Sequence, residues 1–114
     1  MYILKEKISI ADLKKMSEKM YHRLVKAVVD IEKEIIAIDA ELHSDEEMLL
    51  LENGSQQENL WGINIHPGLA ETTDWIEFDS MINLRPSHGN SSRSVNDPKI
   101  REKIVLIVNK WIQK

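Results

Sequence analysis

Cysteine is absent from this chain. Its absence excludes a disulfide framework and cysteine-ligated zinc, and it fits a reducing compartment. Long apolar runs are also missing: none approaches the roughly 20 residues a membrane helix needs. The opening Met1-Tyr2-Ile3-Leu4-Lys5-Glu6-Lys7 is interrupted by charge at once, so no signal-peptide segment is read there and a cytoplasmic location is expected, with no membrane partner. Basic charge is in deficit, with 15 Lys and Arg against 19 Asp and Glu and a net charge of −4. That balance argues against a broad polyanion-binding surface, so nucleic acid is not the expected partner, although a local basic loop can still hold a phosphate. There is no internal repeat, Walker loop, nucleophile elbow or zinc-protease helix.

The 114 residues, 42% hydrophobic and 30% charged, suit one α+β domain spanning residues 1–114. A short strand is read at Tyr2 to Lys5. Ser9, with Asp12 three residues on, reads as an N-cap and a variant capping box. Ile10, Leu13, Met16 and Met20 then give a helix from Ile10 to His22, with His22 interacting with its last carbonyls. Two β-branched runs, Val25 to Ile31 and Ile35 to Leu42, read as a hairpin. Ser44 with Glu47 reads as the start of a second helix that Asn53-Gly54 ends. Leu60 to His66 and Trp75 to Arg85 read as strands. Asp97-Pro98 caps a last helix with an Ile100, Ile104, Ile107, Trp111 stripe. The predicted order is β-α-β-β-α-β-β-α, a mainly antiparallel sheet of four to five strands with helices packed on one face.

Alternation across the strands separates two faces. On three of them an apolar side opposes a polar one, which gathers Asp39, Glu41 and His43, then Asn64 and His66, then Glu77, Asp79, Asn83 and Arg85. No lysine falls on these three strands, and short Asp, Asn and His side chains suit a site better than a solvated face. Asp39, Glu41 and His43 alternate on one strand, a spacing that suits Mg²⁺, Mn²⁺ or Zn²⁺, but no metal-specific motif accompanies them and no cofactor is identified. The loop from Arg85 through Ser87, His88, Asn90 and Arg93 leads into a helix N-terminus. Its arginines match carboxylate and phosphate geometry.

Two uses of this face follow. In the first, Arg85, Asn83, Asn64, Ser87, His88, Asn90 and Arg93 bind a small anionic ligand bearing phosphate or carboxylate. Glu77 or Asp79 would then activate water, His66 or His88 would move a proton and Arg85 would hold the oxyanion, if hydrolytic turnover accompanies binding. In the second, the face is a protein-interaction or homodimerisation surface crossed by Trp75 and Met81, without catalysis. An RNA-processing enzyme is a third reading, weakened by the acidic balance.

Longer words support a resemblance. Glu41-Leu42-His43-Ser44-Asp45-Glu46-Glu47, Leu60-Trp61-Gly62-Ile63-Asn64-Ile65-His66-Pro67 and Glu77-Phe78-Asp79-Ser80-Met81-Ile82-Asn83-Leu84-Arg85-Pro86-Ser87-His88-Gly89-Asn90 resemble a small prokaryotic family of domains of unknown function. The resemblance runs from about Lys5 to Ile112. It implies a prokaryotic intracellular protein of one domain, and it lends no catalytic residues.

Overall fold

A computed structural model describes residues 1–20 and 23–114. Five strands form one antiparallel sheet: β1 (Tyr2–Ile3), β3 (Val25–Asp30), β4 (Ile35–Ile38), β5 (Leu60–Ile65) and β6 (Ile76–Glu77), in the spatial order β1-β4-β3-β5-β6. A separate parallel pair, β2 (Ile8–Ser9) with β7 (Ile112–Gln113), ties the start of α1 (Ile10–Ser17) to the end of α3 (Pro98–Trp111). The remaining helix is α2 (His43–Glu52). The α+β class and the antiparallel sheet agree with the sequence reading.

Local chemistry accounts for most boundaries. Ser9 and Asp12 form the reciprocal capping box, each side chain 3.1 Å from the other's backbone N–H. The helix they start ends at Ser17; the end expected at His22 lies outside the described residues. Asp97 caps α3 by accepting the Lys99 N–H, with Pro98 in the first turn. The β3–β4 turn is held by buried Asp30, whose Oδ1 accepts the N–H groups of Glu32 and Lys33 while Oδ2 accepts the Ser55 hydroxyl. Glu34 closes that turn with φ 57. The expected Ser44 cap does not form. Helix α2 begins at His43, and the acid that reaches back is Glu46, whose Oε2 accepts the Ala40 N–H.

The first and last helices cover one sheet face, where Leu13, Ile104, Ile107 and Val108 pack against Val25, Ala27, Val29, Ile36, Ile38, Ile63 and Ile65. Helix α2 lies on the opposite face, where Leu50 meets Val28, Ala37 and Leu60 in a smaller apolar cluster. The first and last helices share a face as the sequence leads one to expect, and α2 covers the other because Val28 and Ala37 give it an apolar half.

The eleven-residue strand expected from Trp75 to Arg85 is two residues long. After Glu77 the chain leaves the sheet and folds back over β5. Ser80 lies so close to Gly62 that a Cβ on Gly62 would sit 2.5 Å from the Ser80 Cβ. The edge of β5 that β6 vacates is then paired by side chains. Asn83 accepts the Gly62 N–H at 2.8 Å and donates to the Gly62 carbonyl at 3.0 Å, as a neighbouring strand would. Arg85 donates to the carbonyls of Leu60, Gln57 and Ile82 and stacks 4.4 Å over the Trp61 ring. Period-2 alternation is present in this segment, but Ser and Asn side chains that bond the backbone compete with strand pairing and here prevail.

Candidate functional site

Between α2 and the folded-back segment, part of the second sheet face stays open as the floor of a cavity of about 770 Å³. Three neighbouring strands supply that floor in register: Lys26 on β3 sits beside Asn64 on β5, which sits beside Glu77 on β6. His66 follows two residues after Asn64, on the same side by alternation. The walls bring His43 from the first turn of α2, Asp79 and Arg93 from the folded-back segment, Glu41, and Lys19, Met20 and Leu24.

The floor is internally ordered. The Asn64 amide donates to Glu77 Oε1 at 2.9 Å and to the Asp79 carbonyl at 3.2 Å. Two acceptors on one side fix which end of the amide is nitrogen, and Asn64 Oδ1 is left buried without a partner among the described residues. His66 Nε2 lies 3.3 Å from the same Glu77 oxygen. The Asn64 hydrogen bond, outweighing a smaller effect of burial and helped by His66 and Arg93, holds the Glu77 carboxyl below its usual range. Glu77 is therefore a carboxylate at neutral pH that orients Asn64 and His66, and a poor proton acceptor in its own right.

Arg93 meets Asp79 side-on, Nε to Oδ1 at 3.0 Å and Nη2 to Oδ2 at 3.3 Å. Both side chains are about half exposed, so the pair adds at most about 1 kcal/mol to stability. Its consequence is geometric, because the guanidinium is oriented through one edge while the Nη1 edge has no partner among the described residues.

His43 is 8% exposed, and its Nε2 lies 2.7 Å from the Ile63 carbonyl oxygen. A carbonyl only accepts, so Nε2 carries the hydrogen and Nδ1 keeps its lone pair. Burial, reinforced by nearby Lys26 and Arg93 and opposed by the Ile63 bond and Asp79, moves the imidazole below its ordinary value. His43 is thus neutral at pH 7.

The structure divides the residues singled out from sequence. Asn64, His66, Glu77, Asp79, Arg93, His43 and Glu41 share the cavity. Arg85, Asn83 and Asn90 do not. Arg85 and Asn83 pair the β5 edge, and the buried Asn90 amide donates to the carbonyls of Asn83, Ser92 and Ser94. Ser87 and His88 lie on an exposed turn away from the cavity lining. Among the described residues no group of three His, Asp or Glu side chains is placed to hold a metal ion. The expected trio is not brought together: Asp39 lies just past β4 in the left-handed region at φ 66, and His43 turns Nε2 onto a carbonyl. Trp75 is buried in the helix-side core, so it does not cross the polar face.

Lysine is not missing from this face after all. Lys26 reaches it from β3, where it alternates with Val25, Ala27 and Val29 and sits beside Asn64. It is half-buried, and among the described residues it has no carboxylate within ion-pair reach.

The model of a family described as "Protein of unknown function (DUF5674)" matches residues 2–111, and the chain belongs to that family. No curated protein and no solved structure matches it. Among the described residues no helix is long and apolar enough to cross a membrane.

Proposed function

We propose that this chain binds a small anionic ligand, bearing phosphate or carboxylate, in the cavity above Lys26, Asn64 and Glu77. The observation that carries the reading is Lys26. Lys26 lines the cavity with no carboxylate within ion-pair reach among the described residues, so its ammonium is available to a ligand anion. Arg93, oriented by Asp79, offers a second cationic contact through its Nη1 edge, and exposed Lys19 adds positive charge at the rim. Of the 85–93 loop, Arg93 is the residue that this reading uses.

The His66–Glu77 pair gives the same cavity a proton-transfer group. A carboxylate that accepts the hydrogen of one imidazole nitrogen leaves the other basic, which is what hydrolytic turnover of a bound ester would require. Asp79, occupied by Arg93, serves orientation in this scheme and not water activation.

Thermal unfolding against phosphate, nucleotides, di- and tricarboxylates and divalent metals tests the reading. An anion at about 100 times its dissociation constant adds roughly 2.7 kcal/mol, a shift of several degrees in a domain of this size. The shift is expected for the wild type and absent in Lys26→Met and Arg93→Ala. A flat anion panel would refute the proposal.

A further inference from the structure

The cavity holds a polar atom that anion binding does not use. His43 donates its Nε2–H to the Ile63 carbonyl at 2.7 Å, which fixes both the ring orientation and the tautomer. Nδ1 is then an acceptor, and among the described residues nothing donates to it. The ring lines the same cavity as Lys26 and Arg93. Nδ1 is not among the buried unpartnered atoms, so it is open to the cavity, where a ligand hydroxyl can take the place of water. Lysine and arginine carry no acceptor, so neither can take the hydrogen of a ligand hydroxyl.

We infer that His43 Nδ1 accepts a hydrogen bond from a hydroxyl adjoining the ligand's anionic group, so that the site selects hydroxylated anions such as hydroxy acids or polyol phosphates over their deoxy counterparts. This rests on the anion site proposed above. The neighbouring charges fit the assignment: Lys26 and Arg93 oppose protonation of the ring, Asp79 favours it, and burial adds to the opposition. A neutral His43 accepts at Nδ1, whereas an imidazolium would donate from both nitrogens and repel the two cations. Sites built to hydrogen-bond a substrate hydroxyl reject the analogue lacking it by large factors, because their own polar group is left unpaired.

The test compares matched pairs by calorimetry: lactate with propanoate, and glycerol 3-phosphate with propyl phosphate. The hydroxylated member is expected to bind the wild type at least about tenfold more tightly. In His43→Phe the ratio of affinities within each pair is expected to fall to about one. In parallel, nitrogen-resolved NMR of the wild-type imidazoles should find His43 as the Nε2–H tautomer at neutral pH, a result that needs neither a ligand nor a folded variant. Equal binding of the paired anions, or a protonated Nδ1, would overturn the inference and leave the anion site standing. Loss of binding by every anion would overturn both.

Discussion

Glu46 is a buried carboxyl whose pKa is raised to about 10, and its replacement has a calculable effect. The residue is fully buried at the start of α2, with Oε2 on the Ala40 N–H at 3.2 Å and Oε1 buried without a partner among the described residues. Burial raises its pKa from 4.5 to about 10, against smaller opposing effects of the Ala40 bond, Lys26 and the N-terminus. Glu46 is therefore protonated in the folded chain at neutral pH and ionised in the unfolded chain. Because the folded state binds the extra proton, stability is complete below about pH 4.5 and falls as pH rises toward about 10. At pH 7 the loss amounts to roughly 3 kcal/mol, set by the distance from the unfolded value at about 1.4 kcal/mol per pH unit. It is insensitive to where above 8 the folded value lies. Glu46→Gln keeps the shape and the acceptor for Ala40 but has no proton to lose. Urea unfolding from pH 5 to 9 should find the variant about 3 kcal/mol more stable at pH 7, with the gap widening at higher pH and closing near pH 5. A variant equal to or weaker than the wild type at pH 7, or a gap that does not change with pH, would refute the assignment of a buried neutral carboxyl.

Other substitutions separate structural residues from ligand contacts. Gly62→Ala places a Cβ 2.5 Å from the Ser80 Cβ and should cost roughly 3 kcal/mol in denaturant unfolding, most of it recovered by adding Ser80→Gly. Arg85→Ala strips the Trp61 ring and leaves three carbonyls without their donor; a loss of about 2–4 kcal/mol is expected with anion binding unchanged, measured by unfolding and calorimetry together. Glu34→Gly relieves a left-handed residue and leaves the Trp111 bond to the Glu34 carbonyl intact, so thermal unfolding should register a gain of about 0.5–1 kcal/mol.

These contrasts follow the line between what local sequence specifies and what it does not. The caps at Ser9 and Asp97 were legible because each uses a side chain within three residues of the N–H it bonds. The β3–β4 hairpin and the polar alternation of Asn64 and His66 were legible because period-2 patterning persists wherever a strand actually pairs. Residues 78–85 leave the strand that their alternation suggests because their partners are distant in sequence: Asn83 and Arg85 bond backbone of β5 more than twenty residues away. Their Asn and Arg chemistry, which suggests a ligand site when read alone, is spent on the sheet edge. Gly62, in the middle of a buried strand, is the available sign that another chain segment approaches there. The role of His43 was hidden for a related reason, since Asp-x-Glu-x-His alternation suggests a metal until the ring is seen to donate to Ile63.

The location of the ligand is the central claim, and amide NMR with titrated anion addresses it most directly. Inorganic phosphate, and whichever carboxylate shifts the melting temperature most, would be added stepwise to the labelled wild-type chain. The account predicts saturable perturbations at Lys26, His43, Asn64, His66 and Arg93, with Ser87, His88 and Asn90 unaffected. Saturable shifts confined to the 86–90 turn, or no saturation at any residue, would contradict it.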